Sequence, residues 1–125
     1  MKKIITTTHA PSPIGPYSQA VEAGNLIFIS GQVAKDPASG KLILSDIRSE
    51  TKQVMENLKA ILQTANADFS QVVKTTIFLS DMNNFSAMNE VYGSYFSGDY
   101  PARETVGVSG LPLGVNVEIS MIAVR

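Results

Sequence analysis

The stretch VNVEISMIAV, residues 115–124, decides the fold class because its two faces differ in polarity. Alternate side chains of a strand point to opposite faces of a sheet. One face is wholly apolar: Val115, Val117, Ile119, Met121 and Ala123. The opposite face is polar at one end and apolar at the other: Asn116, Glu118, Ser120, Ile122 and Val124. The stretch is predicted to be a strand with one face in the core.

Upstream of this strand, segments with β-type and helix-type periodicity alternate. QAVEAGNLIFISGQV, residues 19–33, predicts two strands joined at Gly24-Asn25, a pair suited to a tight hairpin. From residue 46, apolar residues recur at helical spacing, with Asp46 as the predicted N-cap and Asn66 as the stop. QVVKTTIFLS, residues 71–80, is then a β-branched strand.

A second amphipathic helix and two strands complete the predicted order. The apolar face of this helix is assigned to the core and consists of Phe85, Met88, Tyr92, Tyr95 and Phe96. RETVGV, residues 103–108, and the final strand follow, joined by SGLPLG at residues 109–114. The order β-β-α-β-α-β-β predicts a single α+β domain over residues 1–125, with two helices on one face of a mixed sheet.

The second face of that sheet needs a cover of its own. LIFIS, residues 26–30, is apolar on both faces, as is one end of the final strand. Two helices cover only one side of a sheet, so the other side is expected to pack against a further subunit. The sequence therefore predicts an oligomer with its sheets facing inward.

Composition narrows the function classes. Ten basic and eleven acidic residues among 125 give a net charge of −1, which argues against nucleic-acid binding. Cysteine is absent, which excludes disulfides and thiolate nucleophiles and suits a reducing cytoplasm. No apolar run is long enough for a signal peptide or a membrane span. A soluble, cytoplasmic protein is expected.

Several kinds of chemistry lack the residues they need. His9 is the single histidine and lies in an N-terminal region expected to be mobile, so a Ser-His-Asp triad is not expected. Clustered metal ligands are missing, and the glycines match no phosphate-binding loop. No metal, redox cofactor or covalent nucleophile is predicted.

Arg103 and Glu118 are the candidates that remain. Alternation places Arg103 and Thr105 on one strand face and Glu104 on the other. If SGLPLG closes a hairpin, the last two strands pair, and Arg103 and Glu118 could border one pocket. The alternative is an ordinary cross-strand ion pair, worth under about 1 kcal/mol when exposed. The residues alone leave both open and favour the ion pair.

Five segments together resemble the RidA/YjgF family of imine deaminases, in order and over nearly the whole chain. They are IGPYSQAV (14–21), FISGQV (28–33), VVKTTIFLSDMNNFSAMNEVYGSYF (72–96), YPAR (100–103) and VEISMIAV (117–124). The resemblance implies a chorismate-mutase-like fold of the bacillary type and a homotrimer whose sheets form an inner barrel. It also implies active sites between subunits. The family hydrolyses 2-iminopropanoate and 2-iminobutanoate, which arise from dehydration of serine and threonine, to 2-oxo acids and ammonia.

The resemblance also implies roles for single residues. Arg103 matches the arginine that binds the substrate carboxylate through a bidentate fork, and Glu118 the glutamate that activates water. Tyr17 matches a tyrosine covering the pocket mouth. The remaining matches are substrate-binding: Ser30, Gly31, Asn89 and Thr105.

Three departures from the family pattern affect rate or preference. Thr105 stands where many members have cysteine, and Glu104 replaces a small residue. Ser120 replaces a common second acidic residue. Alternative functions are a small-carboxylate-binding, regulatory or chaperone module, a chorismate mutase, and an endoribonuclease or translation inhibitor.

Overall fold

Six strands in one mixed sheet and two α-helices make up the computed structural model, which describes residues 1–125. The strands are β1 (Lys2–Ile5), β2 (Ala20–Ala23), β3 (Leu26–Gln32), β4 (Val72–Leu79), β5 (Ala102–Gly107) and β6 (Val117–Val124). The helices are α1 (Ile47–Thr64) and α2 (Phe85–Gly93). The predicted α+β class is confirmed. Neither helix combines the length and the apolar character that crossing a membrane requires.

Local signals placed the ends of the early elements correctly. Gly24 has φ +60° in the two-residue turn between β2 and β3, a conformation that glycine adopts without strain. The Asp46 carboxylate accepts a hydrogen bond from the Ser49 amide at 2.8 Å and so caps α1. Beyond α1, Asn66 has φ +58°, which ends the helix.

The core lies between α1, α2 and one face of the sheet. The alternation predicted for the final strand is observed, because every second side chain from Val115 to Ala123 is buried. All of them except Val115 belong to the same apolar cluster as Leu58 and Ile61 of α1. We call the other side of the sheet the open face; it carries Phe28, Phe78, Glu118, Ser120 and Ile122.

The expected hairpin between the last two strands is wrong. The strand order is β1-β2-β3-β6-β4-β5, so β4 lies between β5 and β6. β5 runs parallel to β4, and α2 makes the crossover that a parallel pair requires. β4 is thus an interior strand, and its helix-side residues are fully buried: Thr75, Ile77 and Leu79.

The N-terminal region is tied to the sheet, which corrects the expectation that it is mobile. β1 is antiparallel to β2 and adds a strand that the sequence reading missed. The buried side chain of Gln19 accepts from the Thr7 amide at 2.7 Å and donates to the Pro11 carbonyl at 2.8 Å. His9 lies exposed on the loop that these bonds hold.

The second helix is shorter than its apolar pattern predicts. α2 ends at Gly93, so Tyr95 and Phe96 lie beyond it. Both aromatic rings nevertheless pack on Phe69, with centroids 5.5 Å apart in each case. The apolar period continued past the helix because the following turn faces the same core.

Candidate functional site

Arg103 on β5 points to the helix side of the sheet and is held by α2. Its Nη1 donates a hydrogen bond to Asn89 Oδ1 at 2.6 Å. Its guanidinium carbon lies 5.1 Å from the ring centroid of Tyr92 and 5.7 Å from that of Phe85. Both distances are in the range of cation–π attraction. One polar and two aromatic side chains therefore fix the direction of the guanidinium.

Tyr92 is itself held in place by a hydrogen bond to β4. The ring is buried, and its hydroxyl donates to Thr75 Oγ1 at 3.0 Å. Burial raises the pKa of Tyr92, so the phenol stays neutral beneath the Arg103 guanidinium. A cavity of about 400 Å³ opens beside this cluster and is also lined by Tyr100 and Pro101. An anion entering the cavity meets a guanidinium already in position.

Thr105 and Glu104 lie on opposite sides of β5, as alternation predicts. The Thr105 hydroxyl faces the same side as Arg103 and is buried without a hydrogen-bond partner. Glu104 pairs with Lys74 across the open face at 3.3 Å. Its charge is therefore directed away from Arg103.

Glu118 occupies a second cavity, of about 340 Å³, on the open face. Most of its neighbours there are apolar or lack a side chain: Ile14, Tyr17, Gly31, Val33, Pro112 and Leu113. Desolvation by these groups raises the pKa of Glu118 above the ordinary glutamate value of 4.5. A raised pKa makes this carboxylate a better proton acceptor than a solvated glutamate.

Gly31 makes room for that carboxylate. A Cβ atom at Gly31 would lie 2.9 Å from Cδ and 3.1 Å from Oε1 of Glu118, too close without a shift. The sequence reading assigned Gly31 to close approach of substrate to the backbone. The space that Glu118 needs is a second reason for glycine at this position, and the sequence alone did not predict it.

Ser30 and Tyr17 border the same cavity. Ser30 Oγ donates to the Ser18 carbonyl at 2.6 Å, which leaves this hydroxyl only its acceptor sites. The Tyr17 hydroxyl accepts a bond from the Ile14 amide at 3.3 Å, and its ring is exposed at the cavity mouth. The structure thus brings Tyr17, Ser30 and Gly31 together with Glu118.

Arg103 and Glu118 do not meet within one chain. Through β4, Arg103 is level with Thr75 and Glu118 with Phe78, three residues further along. Two strand spacings and three residues separate their Cα atoms by roughly 14 Å. Their side chains also point to opposite faces. Both single-chain expectations, a shared pocket and a cross-strand ion pair, are therefore wrong.

Two sets of neighbours were missed from the sequence. Phe85 and Tyr92 were assigned only to the core, although Phe85, Asn89 and Tyr92 follow the spacing i, i+4, i+7 of one helix stripe. A polar residue within such a stripe is the signal that could have found this cluster. Leu113 and Ile14 gave no signal, because they lie in irregular segments. No three of the His, Asp and Glu side chains lie close enough together to hold a metal ion.

Comparison with known proteins defines the class to which this fold and these residues belong. Residues 7–125 match the family model described as Endoribonuclease L-PSP. The chain is 51% identical to the 2-iminobutanoate/2-iminopropanoate deaminase of Mus musculus, covering 100% of this chain and 93% of that protein. The chain therefore belongs to the RidA/YjgF family.

Solved structures agree with this assignment. A Rid-family protein of Yersinia pestis superposes with a TM-score of 0.97 at 45% identity and covers 100% of both chains. TdcF of E. coli with bound serine superposes with a TM-score of 0.95 at 40% identity, covering 98% of each chain. Both alignments span the strands that carry Arg103 and Glu118.

Proposed function

We propose that this protein hydrolyses 2-imino acids, including 2-iminopropanoate and 2-iminobutanoate, to 2-oxo acids and ammonia. One observation carries the proposal: an oriented guanidinium and a poorly solvated carboxylate lie on opposite faces of one sheet, on strands separated by β4. The guanidinium can bind a substrate carboxylate, and the Glu118 carboxylate can accept a proton from water. An active site between subunits would bring the two groups together. The deaminase name of the mouse relative and the serine bound to TdcF support this choice of substrate class.

The proposed assembly is a homotrimer of single-domain chains, residues 1–125, whose open faces form an inner barrel. Apolar side chains on the open face support it: Phe28 is 42% exposed and Val106 is 43% exposed in the single chain. Such a surface is costly in water and is typical of subunit contacts. The Arg103 cavity of one subunit would then border the Glu118 cavity of its neighbour.

Arg103 would bind the substrate carboxylate. Asn89 occupies one N–H of Nη1, so the other guanidinium donors remain for a bidentate pair with the anion. Each charge-assisted bond contributes about 1.5–3 kcal/mol. The Thr105 hydroxyl lies two residues further along the same face and would donate a hydrogen bond to the substrate. Many family members have a cysteine at this position.

Glu118 would act as the general base. It takes a proton from water as the water oxygen bonds to C2 of the protonated imine, and the C=N π pair becomes the lone pair on the amine nitrogen of a carbinolamine. Glu118 then gives its proton to the amine nitrogen, the C2–N bond breaks as ammonia leaves, and the carbinolamine hydroxyl loses its proton to solvent to form the C=O bond of the 2-oxo acid; water is the only co-reactant. Tyr17 would cover the substrate, and the Ser30-Gly31 backbone would border it.

The test is an imine-lifetime assay. A threonine dehydratase generates 2-iminobutanoate in the presence of semicarbazide, and semicarbazone formation is followed with and without this protein. We expect the protein to suppress the semicarbazone signal and Arg103→Ala to lose most of this effect. If the folded protein leaves the signal unchanged yet binds 2-oxobutanoate, a carboxylate-binding module replaces the enzyme.

A further inference from the structure

We infer that Leu113 and Ile14 form a side-chain pocket beside Glu118 that makes this protein prefer imines with large alkyl groups over 2-iminopropanoate. The inference rests on the proposed function and adds to it the substrate subclass and two specificity-determining residues. It starts from an unusual backbone conformation at Leu113.

Leu113 adopts a left-handed conformation, with φ +61° and ψ +14°. This region is unfavourable for a bulky side chain, and glycine takes it without strain. The leucine is also 48% exposed, so core packing does not account for it. A strained residue persists where the surrounding structure or the function requires it, and here Leu113 lines the two cavities that Tyr17 also borders.

Ile14 is the second apolar side chain of the pocket and is 58% exposed. Its amide donates to the Tyr17 hydroxyl at 3.3 Å, which ties the loop to the ring that covers the cavity mouth. Ile14, Tyr17 and Leu113 border the cavity that holds Glu118. Val33 and Pro112 add further apolar surface to it.

The polar groups of this cavity are already assigned. The Ser30 hydroxyl proton is used by the Ser18 carbonyl, and Glu118 is the proposed base. What the cavity still offers a substrate is apolar contact. With the carboxylate bound at Arg103 and C2 beside Glu118, the third substituent of the imine is its alkyl side chain. That substituent is the part of the substrate that apolar contact would select.

Apolar pockets discriminate by size. One methylene group in such a pocket changes kcat/KM by about 10-fold to 200-fold. We expect the imine formed from leucine to be hydrolysed with a kcat/KM about tenfold above that of 2-iminopropanoate, the low end because the pocket is partly open to solvent.

The experiment compares these two imines in the wild-type protein, Leu113→Gly and Leu44→Gly. An amino-acid oxidase generates each imine from leucine or alanine, and semicarbazide reports the imine remaining. Glycine suits the left-handed conformation at position 113, so Leu113→Gly removes the side chain without adding strain. Leu44 is a matched control, since it is 38% exposed and lines neither the Arg103 cavity nor the Glu118 cavity.

We expect Leu113→Gly to reduce the leucine-to-alanine ratio from about ten to about one, while Leu44→Gly keeps the wild-type ratio. A ratio unchanged by Leu113→Gly, or an equal fall for both imines, overturns the inference and leaves the proposed function standing. A wild-type protein that hydrolyses neither imine overturns the proposed function instead.

Product binding gives a readout that does not depend on turnover. Calorimetric titration of the wild-type protein with 4-methyl-2-oxopentanoate and pyruvate should show tighter binding of the former by about tenfold, lost in Leu113→Gly. Equal affinities for the two products in the wild-type protein contradict the side-chain pocket.

Discussion

The surroundings of Arg103 and of Glu118 differ in how they act on a charged side chain. Arg103 is held by the Asn89 side chain and two aromatic rings, so its charge is oriented before a ligand arrives. Glu118 lies among apolar groups, and desolvation is the one cause of its raised pKa. The first environment is suited to binding a charge and the second to keeping a charge reactive. Substitutions in the two regions should therefore alter different kinetic constants.

The largest effect is expected for Glu118→Gln, which keeps the shape of the side chain but removes the base. General acid–base catalysis contributes about 10²-fold to 10⁴-fold, so kcat should fall by that factor with KM nearly unchanged. Steady-state kinetics with 2-iminobutanoate measures it. Glu104→Gln, on the same face of the sheet, is the control and should stay within about threefold of wild type. A KM effect for Glu118→Gln would erase the contrast between the two regions.

Arg103→Lys tests the other region. Lysine keeps the charge but cannot form the fork or occupy the same place over the rings of Phe85 and Tyr92. We expect kcat/KM to fall by about 10-fold to 100-fold, mainly through KM, because the lost contacts bind the carboxylate in the ground state as well. Affinity for pyruvate should fall in parallel. A lysine variant with wild-type KM would show that positive charge alone suffices.

Gly31→Ala tests whether the position of Glu118 matters as well as its charge. The added Cβ would displace the carboxylate, whose atoms lie about 3 Å from that point. Because the flexible end of the glutamate can move aside, we expect a folded protein with kcat reduced by about tenfold. Circular dichroism checks the fold. Full activity would mean that the carboxylate can act from more than one position.

The difference in pKa should be visible in pH profiles. Glu118 must be ionised to act as a base, so activity is lost as pH falls through its raised pKa. The acidic limb of kcat/KM should therefore lie above pH 4.5, the ordinary glutamate value. A limb at or below that value would contradict the desolvated base.

The smallest effect concerns stability. A pKa raised by folding means that Glu118 favours the folded state below its unfolded pKa and that this contribution is lost as pH rises through the folded pKa. Glu118→Gln should therefore raise Tm at pH 7 and leave it nearly unchanged at pH 4. Thermal unfolding at the two pH values measures this difference. A lower Tm at pH 7 would indicate a stabilising contact of the carboxylate.

The sequence predicted which face of its strand each site residue occupies, but it did not predict how the strands pair. Alternation along β6 placed Glu118 on the partly polar face, and alternation along β5 separated Arg103 from Glu104. Strand order could not be predicted, because pairing of β4 with both β5 and β6 depends on long-range contacts that no local signal encodes.

The contributions of loops to the site were the least predictable part. Leu113 has a backbone conformation that its residue type does not favour, so no propensity argument leads to it. The contact between Gly31 and Glu118 joins two strands and depends on a bulge near Gly31. Regular elements follow from period and capping, whereas these details follow from tertiary packing.

The central claim, that Arg103 of one subunit works with Glu118 of another, is tested most directly by mixing two inactive variants. Arg103→Ala and Glu118→Gln chains are unfolded together, refolded at equal ratio and assayed with 2-iminobutanoate. If each site draws on two subunits, random assembly restores both residues in about a quarter of the sites, and about a quarter of wild-type activity returns. If the mixture stays as inactive as the separate variants although mixed oligomers form, the two residues do not act across an interface.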